Sequence, residues 1–275
     1  MKYFLLIVFL FLSELAVAQT PTPDQGTQGT KNTEELLALA QIQRGPRVQF
    51  ANEQGAKTIP TNDGKSFFVF WTPPGKNAAD LPTIVTLSGH DGWAYEDFYV
   101  WHPFVKEHGY NILALQWWFG GGETMDDYYR PRQMYFLIAD FLKQNQLTKN
   151  KIMLHGFSRG SANIYAVAAL DTFTNNHLFS LIVANAGGAS MDYPPTNDVN
   201  TGRMGPKPFT NTRWVLFCGG QDPNPDKSGC PAMQRTQKWI ESLGGKIVLF
   251  LEDKTANHGG FHRHPENTEA ALKKF

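Results

Sequence analysis

The residues with the clearest capacity for chemistry lie at 156–160, Gly156-Phe157-Ser158-Arg159-Gly160. A short apolar run (Ile152, Met153, Leu154) leads in, and a helix-like segment follows at once. That pattern reads as strand, sharp turn and helix, with a serine at the apex. Such a turn crowds the backbone, so the positions two before and two after the serine must be small. It also lifts the serine hydroxyl clear of the sheet, and the helix that follows turns its positive end toward charge forming on a substrate. The competing reading is a tight turn whose serine caps a helix starting near Ser161.

A serine hydroxyl is a weak nucleophile, so it needs a base, and the base needs an orienting carboxylate. The strand expected over 214–218 runs into Gly219-Gly220-Gln221-Asp222. The strand expected over 246–251 is followed by a loop and then His258. The chain order is therefore Ser158, Asp222, His258, each at the carboxyl end of an expected strand. Asp226 is an alternative acid, and His262 and His264 are alternative bases. His258 is preferred because it comes first after its strand and is followed by Gly259 and Gly260, which permit close approach. Attack on a carbonyl also creates an oxyanion that needs preorganised N–H donors. The backbone of Arg159 offers one, and the loop Ser88-Gly89-His90-Asp91-Gly92 is the expected source of the other.

The elements that must position these groups alternate along the chain. A helix capped by Thr33 is expected over 32–43. Strands are expected at 48–52 and 66–72, joined through the turn Asn62-Asp63-Gly64, then at 83–87, 111–116, 152–156, 180–186, 214–218 and 246–251. Helices are expected at 96–107 (with Pro103 inside or at its start), 125–146 (kinked or begun by Pro131), 161–172, 231–243 and 265–275. Residues 187–211 carry no clear period and read as a long loop or small cap, a type of segment that is often functional. The result is an α/β fold of about eight strands, the first pair antiparallel and the rest mostly parallel, with helices on both faces. Reacting groups gather at the carboxyl edge of such sheets.

This order and placement resemble the α/β-hydrolase serine hydrolases, and the resemblance spans roughly residues 48–275. It rests on Gly156-Phe157-Ser158-Arg159-Gly160, on Gly219-Gly220-Gln221-Asp222 and on His258-Gly259-Gly260-Phe261. It implies that Ser158 is the nucleophile, His258 the general base and then acid, and Asp222 the orienting carboxylate. It further implies that the backbone N–H of His90, with Asp91 next, joins that of Arg159 in an oxyanion hole. Many relatives have His-Gly where this chain has Ser88-Gly89. A secreted chain of this size looks most like a carboxylic ester hydrolase, akin to polyester-depolymerase-like and feruloyl-type esterases. A serine peptidase or amidase with the same triad, and a non-catalytic binding protein on the same scaffold, are the rival readings.

Composition bounds the rest. The chain has 275 residues, 41% hydrophobic, with 25 basic and 25 acidic side chains. That suits one catalytic domain, expected over 47–275, and argues against nucleic acid as a partner. Lys2, the apolar run at 3–12 and the small residues Ala16-Val17-Ala18 predict a signal peptide over 1–18 and export, without membrane insertion after its removal. Residues 19–46 read as a flexible leader and short helix. In an exported protein the two cysteines, Cys218 and Cys230, favour a disulfide. Trp93, Trp117 and Trp118 fall on or just after loops at the active edge and are expected to contact substrate, a small-molecule or polymeric ester. No cofactor or metal is expected.

Overall fold

A computed structural model describes residues 32–149 and 151–275. The expected signal peptide, and the expected leader up to residue 31, lie outside the described residues. Among those described, no helix is long and apolar enough to cross a membrane.

The chain opens with α1 (Thr33–Glu53), whose N-cap is Asn32; the Asn32 side chain accepts the Glu35 N–H at 2.9 Å. The segment at 48–52, expected as a strand, belongs to this helix. Arg44 breaks it (φ −138°) and Pro46 restarts it, since proline suits the first turn of a helix. The division expected at 46/47 therefore falls inside one element. The edge strand is instead β1 (Lys57–Pro60), joined to β2 (Phe67–Trp71) through the turn at Asn62-Asp63-Gly64, where Gly64 has φ +69°.

Six further strands follow: β3 (Thr83–Leu87), β4 (Asn111–Leu115), β5 (Ile152–Phe157), β6 (Leu181–Asn185), β7 (Arg213–Gly219) and β8 (Lys246–Asp253). Between and after them run α2 (Ala94–His108), α3 (Pro131–Gln144), α4 (Arg159–Phe173), α5 (Pro194–Asn200), α6 (Cys230–Ser242), α7 (Gly260–Arg263) and α8 (Pro265–Leu272). Pro131 begins α3, whereas α2 runs through Pro103. The region expected as an irregular loop at 187–211 contains α5.

The eight strands form one sheet in the order β1-β2-β4-β3-β5-β6-β7-β8. Pairs β1–β2 and β2–β4 are antiparallel and the other five are parallel. Strands β2 to β6 are buried end to end apart from Phe157, as a sheet covered on both faces requires. One covering layer holds α2 and α7, which meet where Trp101 packs on His262 with centroids 4.7 Å apart. The other holds α3 and α4, linked by the Tyr135 hydroxyl, which donates to Asp171 at 3.3 Å. The chain leaves β3 for β4 on one side and later returns to place β5 on the other. The crevice of such an α/β sheet opens at that reversal, between the carboxyl ends of β3 and β5.

Candidate active site

Ser158 stands at that reversal, between β5 and α4. Its backbone has φ +53° and ψ −115°, a region that side-chain-bearing residues rarely occupy. Its N–H is held by the carbonyl of Asn185, at the end of β6, at 2.8 Å. The flanking glycines have a steric cause. A Cβ on Gly156 would lie 2.6 Å from the carbonyl oxygen of Gly160, and one on Gly160 would run into the carbonyls of Leu87 and Ser88. The elbow is thus pressed backbone to backbone against the end of β3.

The loops after β7 and β8 bring the other two groups to the serine. His258 Nε2 lies 2.9 Å from Ser158 Oγ, and His258 Nδ1 lies 2.7 Å from Asp222 Oδ2. The Asp222 side chain is 1% exposed. Its second oxygen accepts the Asn224 N–H at 2.8 Å and the Ser228 hydroxyl at 2.9 Å. A bond from Cys218, in β7, to Cys230, at the start of α6, closes the loop that carries Asp222. Asp226 is 85% exposed at its side chain and faces Arg235 at 3.4 Å. His264 Nδ1 is 2.6 Å from Asp253 Oδ2, and His262 packs among Trp101, Phe104 and His155. None of these three alternatives reaches Ser158.

Arg159 is the first residue of α4, so its N–H is one of the four that a helix start leaves without an intrahelical partner. His90 and Arg159 line the same cleft as Ser158 and His258, a space of about 770 Å³ whose lining also includes Ala189, Tyr193 and Lys227. The Arg159 guanidinium lies over the Tyr128 ring at 4.0 Å, and its Nη2 donates to the Glu123 carbonyl at 3.3 Å. The Tyr128 hydroxyl in turn donates to Asp91 at 3.2 Å. Burial pushes this phenol up to about 12, with the Arg159 charge opposing, so it stays an intact donor at neutral pH.

The expected substrate contacts at Trp93, Trp117 and Trp118 are corrected by burial. They are 0%, 1% and 7% exposed and line neither this cleft nor the smaller cavity beside it. They brace loops instead. Trp117 Nε1 donates to the Ser88 carbonyl at 3.1 Å, Trp118 Nε1 donates to the Gly122 carbonyl at 3.2 Å, and Trp93 packs edge-on against Trp118. In a glycine-rich loop, indole rings supply the core that the loop otherwise lacks.

A polar chain beneath the elbow has no signature in residue spacing. Thr86 Oγ1 lies 2.9 Å from Asp97 Oδ2 and 2.9 Å from His155 Nδ1, and His155 Nε2 lies 3.2 Å from Asn185 Nδ2. Burial, reinforced by Glu96 and opposed by the Thr86 hydroxyl, pushes the Asp97 carboxyl up to about 7. Burial, with His262 adding to it, holds His155 well below the usual imidazole range. His155 is next to Gly156 in sequence, yet nothing in its spacing distinguishes it from a strand residue.

No family model and no curated protein matches the chain. Solved structures do. A structure from an analysis of two fungal esterases of Rhizomucor miehei aligns with a TM-score of 0.60 at 12% identity, over 86% of this chain and 88% of its own. Esterase B of Lactobacillus rhamnosis aligns at 0.58 and 15%, over 87% of this chain and 93% of its own. The acylaminoacyl peptidase of Pyrococcus horikoshii aligns at 0.55 and 15%, over 79% of this chain and 40% of its own. These likenesses, with the eight-stranded sheet and its helices, show that the chain has the α/β-hydrolase fold.

Proposed function

We propose that the protein is an exported serine hydrolase that cleaves carboxylic esters. One observation carries the reading: His258 bridges Ser158 Oγ at 2.9 Å and the buried Asp222 carboxylate at 2.7 Å. In this reading Ser158 Oγ attacks the ester carbonyl while His258 Nε2 takes its proton. The oxyanion forms against the backbone N–H groups of Arg159 and His90. The carbon–oxygen bond to the alcohol then breaks, His258 returns the proton to the leaving alkoxide, and the acyl group stays on Ser158. Water, deprotonated by the same imidazole, attacks the acyl-serine; the carboxylic acid leaves and the serine regains its proton. Asp222, fixed by Ser228 and Asn224, holds the ring in place and stabilises the imidazolium between steps.

The esterase likenesses cover most of both chains, which supports esters over amides. The peptidase likeness, confined to 40% of that chain, keeps an amidase as the second reading. Export is supported by the leader residues at 1–18 and by the Cys218–Cys230 bond, since disulfides persist in oxidising compartments. The test is labelling by a fluorophosphonate, together with turnover of a short-chain aryl ester and of an aminoacyl anilide. Labelling that Ser158→Ala abolishes, with turnover of the ester, supports the proposal. Turnover of the anilide alone moves it to an amidase, and absence of labelling to a non-catalytic scaffold.

A further inference from the structure

A second cavity, about 380 Å³, adjoins the reacting groups and has no part in the chemistry above. Its walls include Phe157, next to Ser158, and Gly259, next to His258; His90 borders both cavities. Three polar side-chain atoms of its lining residues are buried with no hydrogen-bond partner among the described residues: Ser88 Oγ, Asn185 Oδ1 and His262 Nε2. Ser88, Asn185 and the neighbouring Asp97 are each more than nine-tenths buried. Buried polar atoms in native proteins are nearly always partnered, so three orphans on residues that line one cavity mark a wall whose polar groups the protein itself leaves without partners.

The character of the missing partner can be read from these atoms. Thr268 Oγ1 donates to the Phe261 carbonyl at 2.7 Å, so it can only accept from His262 Nδ1, 3.4 Å away. Nδ1 therefore carries the hydrogen and Nε2 is a bare acceptor, and burial, which pushes His262 down to about 3, keeps the ring neutral. Asn185 turns one end of its amide to His155, which leaves the other end as a further polar group of this wall. Asp97 adds carboxyl oxygens, and Ser88 a hydroxyl that both gives and accepts. The lining carries both signs, with Arg44 bonded to Glu96 at 2.6 Å and with Arg263 and Asp91 also present, so neither a cation nor an anion is favoured. Val100 and Phe157 supply apolar wall.

The geometry points to this cavity as a subsite for a neutral, hydroxyl-bearing arm of the ester substrate. The assignment rests on the serine-hydrolase reading. The hydroxyl can lie on the acyl or the alcohol side, and two probe pairs separate these: aryl 3-hydroxybutyrate against aryl butyrate, and glyceryl monobutyrate against propyl butyrate. The unaltered protein is expected to favour the hydroxylated member of one pair by about tenfold or more in kcat/KM. Ser88→Ala and His262→Phe should each shrink that preference roughly 3- to 10-fold, the range a single hydrogen bond supplies. Because the readout is a ratio within each variant, general losses of activity cancel. The inference is overturned if neither pair shows a preference, or if the preference survives both substitutions. In the latter case a raised Tm would mark polar atoms that were merely unpaired. Labelling of Ser158 without a hydroxyl preference removes this inference alone. Absence of both labelling and turnover removes the hydrolase reading and this inference with it.

Discussion

Asp97 offers a test of the buried chain beneath the elbow that does not depend on any substrate. Its carboxyl is pushed from an ordinary 3.8 to about 7 by burial. Below pH 3.8 the group is neutral in both folded and unfolded protein and makes no difference to stability. As the pH rises from 4 to 7 the unfolded chain ionises it while the folded chain resists, so stability falls; above 7 both forms are ionised and the penalty is constant. At about 1.4 kcal/mol per pH unit, the interval amounts to roughly 4 kcal/mol. Asp97→Asn keeps an oxygen for the Thr86 hydroxyl and removes the titration. Urea unfolding of both proteins from pH 4 to 9 should show the variant gaining on the parent by about 4 kcal/mol between pH 4 and 7, then running parallel. A difference that stays flat across that range would refute the assignment of a neutral carboxyl to this position.

Three further outcomes follow from the site. Ser228→Ala removes one of the two protein donors to Asp222 Oδ1, a charge-assisted bond of about 1.5–3 kcal/mol, so kcat/KM for an aryl ester should fall roughly 10- to 100-fold; an unchanged value would show that the acid needs no such support. Replacing Cys218 and Cys230 together with serine opens a link between residues 12 positions apart and should cost about 3 kcal/mol in equilibrium unfolding, the loop-closure value for that length. Trp117→Phe leaves the Ser88 carbonyl without its indole donor and should lower kcat more than it alters KM, because the loop bearing His90 loses its brace; steady-state kinetics separate the two effects.

The elbow was readable because steric demand there fixes residue types: small at 156 and 160, serine between, apolar before. Asp222 and His258 were readable because an alternating sheet delivers strand ends to one edge. What packs against those strand ends was not. Trp93, Trp117 and Trp118 look like cleft residues in a list of loops, but the same loops need indole rings to hold them together, and burial decides between the two uses. Residues 48–52 carry strand-like composition, yet Pro46 restarts a helix two residues earlier and the edge strand forms nine residues further on. His155 contributes through a contact with Thr86, distant in the chain, and Asp97 through burial, and neither leaves a local spacing to find; Ser228 reaches Asp222 within one loop whose fold no periodicity announces.

The crowding around the elbow has a consequence for how such a site can diversify. Gly160 abuts the carbonyls that end β3, and a Cβ on Gly187 would strike the carbonyl of Ser158 itself. The Ser158 backbone is therefore held largely by main-chain contacts, and the side chains facing the large cleft, Arg159, Asp192, Tyr193 and Lys227, are not among those that crowd it. New recognition could be written into those four positions by successive mutation while the Ser158 elbow keeps its geometry.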